Sequence, residues 1–134
     1  MADTVTSQTI QDGEKTAILK FTNESDGTGE ASVKKVDVSA LSKDSRGRSC
    51  SSVSISRIYW ACRGMGVDIE FDATTNVLAI PLPADSTGDE YYDLFTGIPN
   101  NAGSGVTGDI DFTTVAHSNG DAYSIILVLT KNYS

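Results

Sequence analysis

The sequence predicts an all-β protein: a single antiparallel β-sandwich, jelly-roll-like, of about seven to nine short strands. Three observations carry that prediction. Val, Ile and Thr supply 34 of the 134 residues, and these side chains suit a pleated, half-buried surface. Apolar and polar residues alternate over short runs, and no window gives a long amphipathic helix. Clusters of Gly, Asn, Asp, Ser and Pro separate those runs at short intervals. A chain of 134 residues is one domain's length, so the sandwich is assigned to residues 11–134 and residues 1–10 to an N-terminal arm or edge strand.

The first strand is expected from Val5 to Ile10, ended by Gln11-Asp12-Gly13. Lys15 to Asn23 follows, with Ala17, Leu19 and Phe21 on one face and Thr16, Lys20 and Thr22 on the other. Glu30 to Val38 reads as a strand whose parity switches near Lys34-Lys35, the mark of a bulge. Ser39 to Ser52 has few apolar residues and reads as an exposed loop. Val53 to Cys62 switches parity near Arg57, so it either bulges there or is buried on both faces.

Val67, Ile69 and Phe71 point inward from a cleanly alternating strand, with Asp68, Glu70 and Asp72 outward. Val77 to Leu82 is continuously apolar and is expected to be a central strand, closed by Pro81 and Pro83. A short strand is expected at Tyr91 to Phe95. Ile110 to Val115 and Ala122 to Lys131 are expected to form a final hairpin around the HSNGD turn. The run Ile125 to Leu129 must be buried on both faces or lie under a subunit contact.

Charge narrows the function. Ten Lys and Arg against eighteen Asp and Glu give −8, which argues against nucleic acid and anionic membrane surfaces as partners. No apolar run approaches the roughly 20 residues that span a bilayer. The opening MADTVTSQTIQDGEK has no basic start, apolar core or cleavage pattern, so no Sec signal peptide is expected.

The chemistry-bearing residues are sparse. Cys50 lies in a polar segment and is expected to be exposed, where it could pair between subunits. Cys62 lies in an apolar one and is expected to be buried. Their spacing forces no bridge, and two free thiols are the expectation. His117, the only histidine, sits in a turn, and no serine is placed beside it to make a triad. Gly103 to Gly108 matches GxGxxG, but strand-like sequence follows where a nucleotide-binding fingerprint needs a helix. The carboxylates of Asp68, Glu70 and Asp72 alternate along a strand at roughly 6.5–7 Å, too far apart to converge on one cation. With Asp109 and Asp111 they read as two solvated acidic faces, with no metal or other cofactor and no catalytic group. Tyr91, Tyr92 and Asp93 form an alternative site, because loop aromatics on a small sandwich can stack on sugars.

Four segments carry a resemblance. MADTVTSQT, TAILKFTNESDGTGEASVKKVDVSAL, GMGVDIEFDATT and IPNNAGSGVTGDIDFTTVAHSNGDAYSIIL together cover well over half the chain. In that order they resemble small virion structural proteins of tailed bacteriophages. None is a mechanistic motif. The resemblance implies a non-enzymatic head decoration (cement) protein, or else a tail or neck component. It implies the major capsid protein as partner, a location on the capsid exterior after assembly in the host cytoplasm, and a homo-oligomer, with a trimer suited to threefold lattice positions. The segments 43–52 and 85–94 depart from the pattern. The expected contacts are Val5, Thr6 and Ile10 of the arm, Arg46 and Arg48 of the following loop, and Asn100 and Asn101 of the Gly/Asn loop. The alternative class is a carbohydrate-binding sandwich.

Overall fold

The computed structural model describes residues 3–91 and 97–133. They form nine strands: β1 (Thr4–Asp12), β2 (Thr16–Glu24), β3 (Val33–Val36), β4 (Cys50–Arg63), β5 (Gly66–Phe71), β6 (Val77–Leu82), β7 (Thr87–Tyr91), β8 (Ile110–Val115) and β9 (Ala122–Tyr133). A five-stranded antiparallel sheet runs β1-β2-β9-β4-β7, and a four-stranded one runs β3-β8-β5-β6. Without β1, the order 2-9-4-7 over 3-8-5-6 is the two-Greek-key arrangement of a jelly roll.

Alternation builds the core. Ala17, Leu19 and Phe21 of β2, Ile125, Leu127 and Leu129 of β9, and Val53, Ile55 and Ile58 of β4 face Val67, Ile69, Phe71, Ile110 and Phe112 of the opposite sheet. Phe112 lies edge-on to Phe21 and Tyr123, with ring centroids at 5.4 and 5.8 Å, the preferred geometry of aromatic pairs. The parity switch in β4 is a register shift between Ile55 and Arg57, and that in β3 lies between Lys34 and Val36. In β4 the shift keeps Val53 and Ile55 on one side and Ile58 on the other in the core, whereas in β3 Val36 is buried and Val33 stays exposed.

Several expectations are corrected. Val77–Leu82 is not central: β6 is the edge of its sheet, and Leu78 is half exposed. An edge strand tolerates Pro81 because its outer side has no ladder to feed. β8 and β9 do not form a hairpin; β8 pairs with β3 and β5, while β9 pairs with β2 and β4. The HSNGD turn therefore carries the chain from one sheet to the other. Cys50 is buried, because β4 begins there and seats it opposite Tyr133, with its thiol donating to the Ser52 carbonyl. Burial pushes both thiols above their ordinary pKa, and they lie at opposite ends of β4.

The second acidic face is not solvated. Asp109 and Asp111 are buried, at 4 % and 3 % exposure. The third strand is shorter than expected, and Glu30 sits buried before it. His117 is half-buried rather than free in a turn, its Nδ1 3.2 Å from Thr114 Oγ1. Of the strand expected at Tyr91 to Phe95, Tyr91 ends β7; Tyr92 to Phe95 lie outside the described residues.

The run Ile125–Leu129 lies in the middle of the larger sheet. Its odd-numbered residues are in the core, and Ile126 and Val128 are half-buried on the outer face.

Candidate interaction surface

The N-terminal segment is a strand of the sheet. β1 pairs with β2 along one edge, from Thr4 opposite Glu24 to Asp12 opposite Ala17. The larger sheet ends at β1, and among the described residues no strand lies against the outer edge of β1. None of its nine side chains is buried, and Val5 and Ile10 are 46 % and 50 % exposed. The reason is architectural: five strands lie over four. The inward parity of β1, Val5, Ser7 and Thr9, overhangs the side of the sandwich. Ser7 and Thr9 roof a shallow cleft floored by Leu19, Phe21 and Leu41 and rimmed by Lys35. Ile10 is the extra residue of a bulge between Thr9 and Gln11. The Thr6 hydroxyl touches that of Thr22 across the ladder.

From Thr4 to Gln11 the strand carries no charge. Exposed edges ordinarily carry a Lys, a Pro or a covering loop that discourages pairing. Here the backbone edge is left open.

Polar clasps hold β1 at both ends. Just before the strand, the Asp3 carboxylate accepts from the amides of Asp26 and Gly29 at 3.2 and 3.1 Å, and from Asn23 Nδ2 at 3.1 Å. Burial pushes the Asp3 pKa up, but these donors outweigh it and hold the group below the ordinary carboxyl value. At the far end, Asp12 Oδ1 lies 2.6 Å from Lys131 Nζ, and Asp12 Oδ2 accepts from the Ser42 amide at 2.8 Å. The Lys131 side chain is fully buried. It also donates to the Gly13 and Ser42 carbonyls at 2.7 and 2.9 Å, so its charge is compensated. Burial again opposes ionisation of Asp12, and the Lys131 and Ser42 contacts overcome it, leaving its pKa lowered.

The second expected contact packs beside this end of β1. The loop after β3 is tied to the β1–β2 turn by Ser42 on Asp12 and by the Ser45 amide on Glu14 Oε1, 2.9 Å away. Buried Asp44 organises its tip, accepting from the amides of Arg46 and Arg48 at 3.0 and 2.8 Å. Arg48 is not free: its Nε lies 2.7 Å from Asp44, and its guanidinium stands 5.8 Å from the centre of the Tyr133 ring. Arg46 is exposed.

The third segment does not join them; it packs along β4, which β2 and β9 separate from β1. Ile98 bridges to Ile55, and Gly108, at φ +86°, packs so closely on the Ser51 carbonyl that a Cβ would overlap it. Asn100 turns inward to accept from the Ala102 amide at 3.0 Å, whereas Asn101 is exposed. The structure thus brings Arg46 and Arg48 beside the Ile10 end of β1 and strings Val5 and Thr6 toward its other end, whereas Asn100 and Asn101 belong to a segment packed on β4, two strands away from β1.

The alternative sugar site is only partly described. Tyr91 ends β7 with 61 % of its surface exposed, while Tyr92 and Asp93 lie outside the described residues. Opposite it, Arg57 lies between two rings, 4.7 Å from the Tyr59 centroid and 5.3 Å from that of Tyr91, and pairs with Asp89 at 2.9 Å. Arg57 therefore stands as a cation–π partner of Tyr91, whose ring remains largely exposed.

Several polar residues that matter were not singled out from the sequence. Lys131 shares the inward parity of Tyr123, Ile125, Leu127 and Leu129, and Asn23 shares that of Ala17, Leu19 and Phe21. A polar residue in register with a core face was the available signal. Glu30 had no such signal, since it lies in a loop. It accepts from Tyr123 Oη at 2.7 Å and pairs with Lys35 at 2.5 Å. Burial and the Glu30 carboxylate push the Tyr123 pKa up, so the phenol stays a donor. Asp111 accepts from Asn76 Nδ2 at 3.0 Å, and its second oxygen has no donor. Burial and neighbouring Asp72 raise its pKa to about 6. Among the described residues, no group of three or more His, Cys, Asp or Glu side chains is placed to hold a metal ion.

A scan against protein-family models and a search of curated proteins found no match for this chain.

Proposed function

We propose that this chain is a non-enzymatic structural protein of a tailed-phage virion, a head decoration protein that binds across neighbouring major-capsid subunits and stabilises the shell. The observation that supports this most is β1, a nine-residue strand with an open backbone edge and no charge before Asp12. An open edge binds a partner by strand addition: main-chain hydrogen bonds give affinity and the alternating side chains give register. The loop bearing Arg46 flanks one end of that edge, where the exposed guanidinium could meet a partner's carboxylates. The sandwich contributes rigidity, and many copies on a lattice make modest contacts sufficient. The −8 charge keeps free subunits apart before assembly.

Gold-labelled antibody on intact particles, imaged by electron microscopy, tests this reading. Regular label over the head is the expected result. Label confined to the tail or neck would keep the virion role and remove the cement mechanism. Particles without label, and without the protein by mass spectrometry, would overturn both. Exposed Tyr91 favours a second reading as a carbohydrate-binding module. Glycan-array binding lost in Tyr91→Ala would support it, and a flat array would remove it.

A further inference from the structure

The way β1 is attached carries an inference that does not depend on the partner. Everything that holds β1 belongs to the rest of the domain: the β2 ladder, the 25–29 loop with Asn23 on Asp3, and Lys131 with Ser42 on Asp12. The strand buries no side chain, so lifting it away removes none of the core. A three-residue connection, 13–15, joins it to β2. A second copy presents the same ladder, the same amides for Asp3 and the same ammonium for Asp12.

We propose that β1 is an exchangeable strand: in assemblies of this chain, β1 of one copy takes the β1 place on β2 of another, with the 13–15 connection as hinge. Exchange then swaps identical contacts, and the difference between the closed and exchanged forms reduces to the hinge and the entropy of association. High local concentration, as on a lattice or in a crowded cell, offsets that entropy. The closed form pairs the same strand with its own β2, so dilute protein stays closed. The occupant of the β1 place is therefore a second copy of this chain, because its β1 supplies an uncharged strand with a carboxylate at each end in the spacing the two clasps accept. A basic peptide would meet Lys131 without its counter-ion.

The positions in contact across the ladder supply the test. Two full-length variants, Thr6→Cys and Thr22→Cys, are mixed, incubated together and then oxidised mildly. Non-reducing gels and peptide mass spectrometry locate any disulfide between positions 6 and 22. The double variant Thr6→Cys/Thr22→Cys reports the same bond within one chain. Exchange predicts that mixed single variants form the 6–22 bond between chains, in an amount that rises roughly in proportion to concentration and with incubation before oxidation. It also predicts that the double variant, oxidised when dilute, closes within one chain and thereafter exchanges no strand. A double variant that closes while mixed single variants never link at any concentration would overturn the proposal. If either substitution disturbs the fold by circular dichroism, Gln8→Cys and Lys20→Cys occupy the next facing pair and are read identically.

Discussion

β1 and β9 belong to the same sheet and are held in opposite ways. β9 has a strand on each side and buries alternate residues from Tyr123 to Lys131. β1 has a strand on one side and buries none of its nine residues. Both sequences are rich in Val, Ile and Thr, so β-propensity does not separate them. The separation comes from position: β9 lies over the second sheet, and β1 overhangs it. For β9 the hydrophobic effect supplies the stability. For β1 it is supplied by ladder hydrogen bonds and two carboxylate clasps, interactions that another copy or another protein can also make.

The contrast can be broken most severely at β9. Leu127→Ala removes a fully buried side chain from the centre of the core and should cost about 2–5 kcal/mol in denaturant unfolding. Next comes the clasp. Asp12→Ala leaves the buried Lys131 ammonium without its carboxylate. Removing one member of a buried pair is costly, but Asp12 is partly exposed and the Gly13 and Ser42 oxygens remain, so a loss of roughly 2–3 kcal/mol is expected. If the same change left unfolding unaltered, the clasp would not be what fastens β1.

Carboxylates of the two sheets respond to pH with opposite signs: Asp3 and Asp12 fasten β1 of the larger sheet, and Asp111 lies on β8 of the smaller one. Asp3 and Asp12 have lowered pKa values in the folded chain, so their stabilisation is present above the ordinary carboxyl range and is lost as pH falls through their folded values. Asp111 is raised to about 6, so the folded state is favoured while it is protonated and loses that advantage as pH rises through about 6. Asp111→Asn should therefore raise the unfolding free energy at pH 8 by an amount on the order of 1–3 kcal/mol, and by roughly half as much at pH 5. Equal effects at both pH values would contradict a pKa raised by burial and by neighbouring Asp72. The smallest effect is expected on β1 itself: Val5→Thr should change stability by less than about 0.5 kcal/mol in the same unfolding experiment.

The sandwich was legible because alternation names the inward face of every long strand, and the two parity switches marked real bulges at β3 and β4. Partnership across the sheets was not. Ile110 to Val115 and Ala122 to Lys131 flank a turn, and a hairpin and a sheet-to-sheet crossing look alike in a single sequence. Edge and centre were also confused. The continuous apolar run of Val77 to Leu82 reads as central, yet its outer parity faces solvent at Leu78. Of the candidate surface, the three segments were visible as polar, turn-rich or terminal sequence. The packing of the Arg46-bearing loop beside the end of β1 was not, because it depends on Asp12, Ser42 and Lys131 meeting across 119 positions of chain.

Residue-resolved hydrogen exchange on the intact protein tests most directly whether β1 is fastened separately from the core. A separately fastened β1 releases the amides it shares with β2 on the order of 100-fold or more faster than the amides between β9 and β4, which open only with global unfolding. Equal protection of the two ladders would contradict that, showing that β1 opens only when the whole sandwich does.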